Sequence, residues 1–472
     1  MRDSLYRGLV VGGRDGGGTG SRGFWGRAAA QKGQQLLDRL VLRRTVTVKR
    51  LGGGEADEKA FWRFLHNERV SERALIGAAR THLLAQVAGR RVLAIQDTSE
   101  INFSRQKHRK AAFGRGGNGT DPAFFIHPVL AVDADTGVVL GLADVQLWAH
   151  HEPAPSAGPA RKTADKTADK LSQRWLDGAQ AAAGLRAAGA TSVTVIADRE
   201  GDIYAAFASR PPEVELLVRA QTDRGLADDG YLFAHLDNLP IAEHFTLDLP
   251  AIPGRAARRA TMALRYAPVS LRRPRHSADH HLPPSLTLYA LDVREIDPPA
   301  GVEGVHWRLL SSAPIESLAQ AHQAIADYRC RWQVEQLFRT MKSQGLGIED
   351  SQIETPEPLH KLTLIALRAA VVCMQLVQAR DGADNRPATA ALTPDDVQIL
   401  EAIAPTVDGR TDRLRNPFQP KSLPWAAWII ARLGSWNGAN NAKPPGPITM
   451  HRGLQRFHDI AYGMRLGNVS MP

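Results

Sequence analysis

Tyr328, Arg331, Glu335 and Lys342 place a phenol, two cations and a carboxylate at offsets of zero, three, seven and fourteen residues. In a helix advancing about 100° per residue they fall at about 0°, 300°, 340° and 320°, one stripe roughly 60° wide. The spacing predicts a helix beginning near Ala324 that carries all four on one face. Such a face can grip phosphate oxygens and hold a metal ion, and it is equally what a solvated charge row looks like.

Two further carboxylates stand where a sheet would deliver them. Val92-Leu93-Ala94-Ile95-Gln96 has the length and apolarity of a short buried strand and runs straight into Asp97-Thr98-Ser99. Val193-Thr194-Val195-Ile196-Ala197 repeats the design and ends in Asp198-Arg199-Glu200-Gly201-Asp202. Ligands of open α/β sheets bind at the carboxyl ends of the strands, so Asp97 and Asp198 converge if the two strands are neighbours. Glu335 could then reach them from a packed helix. Three clustered carboxylates repel one another unless a positive charge lies between them. Hard oxygen donors suit Mg²⁺ or Mn²⁺. Zinc does not fit, because the two cysteines, Cys330 and Cys373, lack partners at ligand spacing. Two ions about 3.5–4 Å apart would activate an attacking oxygen and stabilise a leaving one at phosphorus.

The ordered set Asp97-Thr98-Ser99, Asp198-Arg199-Glu200-Gly201-Asp202-Ile203-Tyr204 and Tyr328-x-x-Arg331-x-x-x-Glu335-x-x-x-x-x-x-Lys342 resembles the DDE transposases of the IS-four family. The similarity runs from about Trp25 to the end and takes in Trp307-Arg308-Leu309-Leu310-Ser311-Ser312-Ala313-Pro314 and Leu433-Gly434-Ser435-Trp436. The resemblance implies an α/β, RNase-H-like catalytic core in which Asp97, Asp198 and Glu335 bind the Mg²⁺ (or Mn²⁺) ions, two per site. It also implies that Tyr328, Arg331 and Lys342 contact phosphates of the transposon end, that Arg219 is a further basic DNA contact, and that Trp307 stacks on a flipped-out base. The alternative for Trp307 is a core tryptophan at the start of a strand. The implied partners are double-stranded DNA, both terminal inverted repeats and target, and a second copy of the chain in a synaptic homodimer. The implied activity is cut-and-paste transposition through a hairpin intermediate. A transposition inhibitor or a domesticated DNA-binding protein of the same fold is the alternative.

Composition agrees without deciding. The 472 residues hold 59 Lys+Arg against 49 Asp+Glu, a formal net charge of +10, which favours nucleic-acid partners. A hydrophobic content of 43% is ample for globular cores, and the length suggests several domains. The most apolar stretch, Leu362 to Val377, is interrupted by Arg368 and Gln375, so no membrane span is expected. No signal-peptide core is expected either, and two cysteines fit a reducing cytoplasm.

The expected organisation begins with a Gly- and Arg-rich disordered extension at 1–23. A helical domain follows at 24–89, with Leu36, Leu37 and Leu40 on an apolar face and Ser71 as a cap before Glu72. By resemblance this is the amino-terminal DNA-binding domain; an ordinary helical cap on the core is the other reading. The first part of the core spans 90–215 and includes a hairpin around Asp133 to Gly137. The pair His150-His151 with Glu152 is set aside as a metal site, because adjacent residues project in different directions. The 136 residues between Asp198 and Glu335 require an inserted subdomain, expected to be β-rich at 216–304. Its cations Arg255, Arg258, Arg259, Arg265, Arg272, Arg273 and Arg275 are expected in a loop that could clamp DNA. The core resumes at 305–380, and a mostly helical dimerisation domain occupies 381–472.

Overall fold

The computed structural model describes residues 27–110, 112–150, 161–250, 256–275, 281–342, 345–382, 384–438 and 445–469. Four helices come first: α1 (Arg27–Arg43), α2 (Val48–Leu51), α3 (Glu55–Leu65) and α4 (Glu72–Leu84). Strands β1 (Arg91–Gln96), β2 (Ser99–Asn102), β3 (Ala123–Asp133) and β4 (Val139–Trp148) follow, then α5 (Arg161–Ala187), β5 (Ser192–Ala197), α6 (Tyr204–Ala208) and β6 (Glu215–Arg219). Next are α7 (Leu232–Asn238), β7 (Glu243–Leu249), β8 (Arg258–Arg272), β9 (Ser285–Glu295) and β10 (His306–Ser311). The chain ends in α8 (Leu318–Arg329), α9 (Trp332–Met341), α10 (Pro356–Ala379), α11 (Pro394–Val407), α12 (Leu423–Leu433) and α13 (Pro447–Val469). The expected extension at 1–23, the pair His151-Glu152 and Arg255 lie outside the described residues.

The architecture is mixed α/β, and the chain divides into two compact units. One comprises 88–97 and 155–332; the other comprises the residues up to 87, 98–154 and 333 onward. In the first, β1 and β5 are short, apolar on both faces and buried, as a covered parallel pair requires. Strand β6 joins β5 in parallel, and β10, β9, β8 and β7 continue antiparallel in that order. Helix α5 covers β1 and β5 with Trp175, Ala179, Ala182 and Leu185 buried. The first turns of α5 carry a short repeat, Lys-Thr-Ala-Asp twice over, from Lys162 to Asp169.

Strand β8 runs without interruption through Pro268. Pro268 falls between the stretch paired with β7, which stops at Leu264, and a short bridge from Leu226 to Leu271. A missing N–H is tolerated at such an edge position. Of the arginine-rich stretch, Arg258, Arg259, Arg265 and Arg272 are therefore on a strand and not in a loop, Arg273 and Arg275 follow the strand, and several of these cations have internal acidic partners. Arg258 grips Glu295 with two hydrogen bonds of 3.0 and 2.8 Å, and Arg265 lies 3.4 Å from the buried Asp292.

In the second unit, β2, β3 and β4 form an antiparallel meander. Asp133 closes the β3–β4 turn by accepting from the N–H groups of Asp135 and Thr136, and Gly137 takes φ +70°. Helices α4 and α10 lie on β4, and α10 is packed in turn by α1, α3 and α12. Helix α10 is long and apolar enough to cross a membrane, yet most of it is buried inside this unit. Gln375, its polar interruption, donates to the carbonyls of Val139 and Leu140 on β4. Leu36, Leu37 and Leu40 are buried on α1, and Ser71 caps α4 by accepting from the Ala74 N–H at 3.2 Å.

Candidate active site

The register of β1 against β5 pairs Ile95 with Ile196, so Asp97 and Asp198 leave adjacent strands at the same level. Each follows the last strand residue, where the chain leaves the sheet. Two carboxylates held side by side in this way need a cation, and Arg331 supplies one. Its Nη1 lies 3.3 Å from Asp97 Oδ2 and its Nη2 lies 3.9 Å from Asp198 Oδ2. Arg219, the last residue of the neighbouring β6, comes within 3.9 Å of Asp198 Oδ1 and also donates to the His306 carbonyl. The Tyr328 hydroxyl donates to Asp198 Oδ1 at 3.3 Å. Burial first, then the charge of Asp198, pushes the Tyr328 pKa far above its ordinary value, so this phenol is a donor at any physiological pH.

Trp307, the second residue of β10, is half-buried, its ring 5.7 Å from that of Tyr328 in an edge-to-face pair. It is at a strand start, as the core alternative has it, but it is not enclosed. The first unit therefore brings together Asp97, Asp198, Arg219, Trp307, Tyr328 and Arg331.

The expected single helix is broken. Helix α8 ends at Arg329, and the N–H groups of Cys330 and Arg331 bond to the carbonyls of Asp327 and Tyr328, a tight turn with three-residue spacing. Tyr328 is thus on α8, Arg331 in the turn, Glu335 in the first turn of α9, and Lys342 just beyond its end. The turn takes Arg331 out of the helical phase. Glu335, half-exposed, and Lys342 belong to the second unit, where Lys342 bonds the Glu100 carbonyl and lies 3.5 Å from Glu349. Among the described residues no three His, Cys, Asp or Glu side chains form a group placed to hold a metal ion. Burial raises the thiols of Cys330 and Cys373 to about 11, so neither is a nucleophile at neutral pH.

Two supports of this site carry no obvious sequence signal. Gln96, fully buried before Asp97, donates to the Trp175 carbonyl, and a Cβ on Gly178 would lie 2.4–2.8 Å from its amide group. Only glycine lets α5 approach the end of β1 this closely. Asp202, four residues past Asp198, is the second support. It accepts from the N–H groups of Gln221 and Thr222 at 2.9 and 3.0 Å and from Arg224 at 3.0 and 2.7 Å, tying the turn after β5 to the turn after β6. Its position in the strand-end motif is visible in the sequence, but its partner, 22 residues on, is not.

Adjacent aspartates at the carboxyl edge of a parallel sheet thus have two arginines and a phenol against them. Residues 160–372 match the transposase DDE domain family. The match supports a DDE transposase, and DDE transposase domains generally use divalent metals. It covers Asp198, Arg219, Trp307, Tyr328, Arg331, Glu335 and Lys342, while Asp97 precedes it and stands on the strand register alone.

Proposed function

We propose that this protein is a cut-and-paste DNA transposase of the IS-four type that binds transposon ends, cleaves them through a hairpin intermediate and joins them to target DNA. The observation that carries the reading is the side-by-side exit of Asp97 and Asp198 from β1 and β5 beneath Arg331. Their hard, anionic oxygens fit Mg²⁺ or Mn²⁺, with Glu335 as the third donor. Two such ions would activate the attacking oxygen, first of water and then of a DNA 3′-hydroxyl, and stabilise the leaving oxygen. Arg331 offers a planar fork to the scissile phosphate, Arg219 and Lys342 add charge, and Tyr328 donates a hydroxyl from a fixed ring. Trp307 presents an indole face to an extruded base, a contact worth about 1–3 kcal/mol.

Recognition of the ends is assigned to residues 24–89. In support, a cavity of about 880 Å³ is lined by Arg43, Arg44, Thr45, Thr47 and Arg50 together with the loop at Gly345–Gly347. Arg44 takes φ +45°, a conformation costly for a side-chain-bearing residue and common at binding sites. Pairing of two subunits is assigned to 381–472, where α13 exposes Ile448, Ile460, Tyr462 and Met464. A protein working on bacterial transposon DNA would act in the cytoplasm, at the nucleoid.

The test uses DNA bearing the terminal inverted repeats and Mg²⁺. Wild-type protein should nick and then hairpin the ends, while Asp97→Asn and Asp198→Asn should each lose at least about 10³-fold in cleavage rate and still shift the DNA in a gel. Full cleavage by either variant refutes the site. Binding without cleavage by the wild type would favour the inhibitor or DNA-binding alternative.

A further inference from the structure

Arg331 is mostly buried, 17% exposed at the side chain, and its guanidinium reaches one oxygen on each of two carboxylates borne by different strands. The same two oxygens, Asp97 Oδ2 and Asp198 Oδ2, are among the donors that the aspartate pair could offer a divalent ion. We propose that Arg331 sets the metal affinity of the aspartate pair by competing for these oxygens, and that the guanidinium, once released, is the group presented to the substrate phosphate. The inference rests on the transposase reading of the site.

The competition follows from charge and geometry. An oxygen bound to Mg²⁺ lies about 2.0–2.1 Å from the ion and gives up the lone pair that an N–H donor would otherwise accept. A guanidinium left in place would face a double positive charge at close range. Arg331 cannot relieve that repulsion by losing its proton, because an arginine stays charged under all ordinary conditions. It must therefore move. Its side chain can move on its own torsions, which redirect the guanidinium while the backbone of the turn after α8 stays in place. Asp198 keeps Tyr328 and Arg219 as partners when Arg331 leaves. A phosphodiester, anionic and bidentate, is the natural acceptor for the displaced fork. Arg331 would thereby link occupation of the carboxylates to readiness for DNA.

Metal binding to the full chain without DNA tests this by Mn²⁺ calorimetry, together with thermal melting with and without Mn²⁺. Arg331→Gln should bind Mn²⁺ about tenfold more tightly than wild type, about 1.4 kcal/mol. It should melt lower without the metal and gain more from adding it. An Asp97→Asn, Arg331→Gln double variant should lose the gain. Equal or weaker Mn²⁺ binding by Arg331→Gln, beside saturable binding by the wild type, overturns the inference and leaves the transposase reading intact. If neither protein binds Mn²⁺, the metal role of the aspartates fails, and the inference with it. Should Arg331→Gln not fold, Arg331→Met decides: it keeps the length of the side chain and removes the charge, so its Mn²⁺ affinity must rise above wild type, and an unchanged value refutes the competition.

Discussion

Tyr328 shows how one buried group can be tied to a reactive one without sharing its chemistry. Its hydroxyl donates to Asp198, and burial together with that charge keeps it protonated, so it cannot serve as a base. Tyr328→Phe should cost about 1 kcal/mol of stability, the net worth of one such bond, measured by urea unfolding. It should leave the pH profile of cleavage unchanged between pH 6 and about 10. An inflection in that range that wild type shows and Tyr328→Phe lacks would mean that the phenol titrates during the reaction. Tyr328, Arg331 and the two aspartates were all legible as candidates, because their residue types and spacing are linear information. That Arg331 pairs with the aspartates was not, since the turn at Cys330 breaks the periodicity from which the single helix was read.

At the scale of elements, the sheet edge that carries Asp97 and Asp198 depends on how closely α5 and the turns after β5 and β6 are held. Asp202→Ala would strand a buried Arg224 and remove the acceptor of two N–H groups. The expected loss is about 3–5 kcal/mol in chemical denaturation, the scale for breaking a buried pair from one side. A loss below 1 kcal/mol would show that the clamp is incidental. Gly178→Ala should cost about 1–3 kcal/mol by forcing Gln96 aside, and truncating Gln96 to Ala in the same protein should recover part of it. If the double variant is as unstable as the sum of the singles, the close approach is not the cause. The strands themselves could be read from apolar runs. The extension of β8 through Pro268 could not, because whether a missing N–H matters depends on which strand lies alongside.

Across the whole molecule, one titratable group on α1 links pH to stability. Asp38 has its pKa raised from 3.8 to about 7, by burial first and then by the charge of Asp396. A carboxyl whose pKa is higher folded than unfolded holds its proton in the native state between about pH 4 and 7, while the unfolded chain has released it. Its stabilising contribution is therefore complete below about pH 4 and is lost as pH rises to 7. Wild type should lose melting temperature relative to Asp38→Asn between pH 5 and 7.5, and the gap should be flat above pH 8. A gap that moves the other way would show that Arg368 and Arg465, which favour the charged form, dominate.

The sequence alone determined the strand-borne aspartates, the helical amino-terminal and carboxyl-terminal segments and the capping serine, because each is a matter of local residue type and period. Tertiary structure alone decided that β1 and β5 are parallel neighbours in matched register, that Arg331 leaves its helix to bridge them, and that Asp202 and Gly178 brace the edge. The physical reason is range. Periodicity records which face of an element is buried, whereas a pair formed across tens or hundreds of residues exists only once the elements have packed.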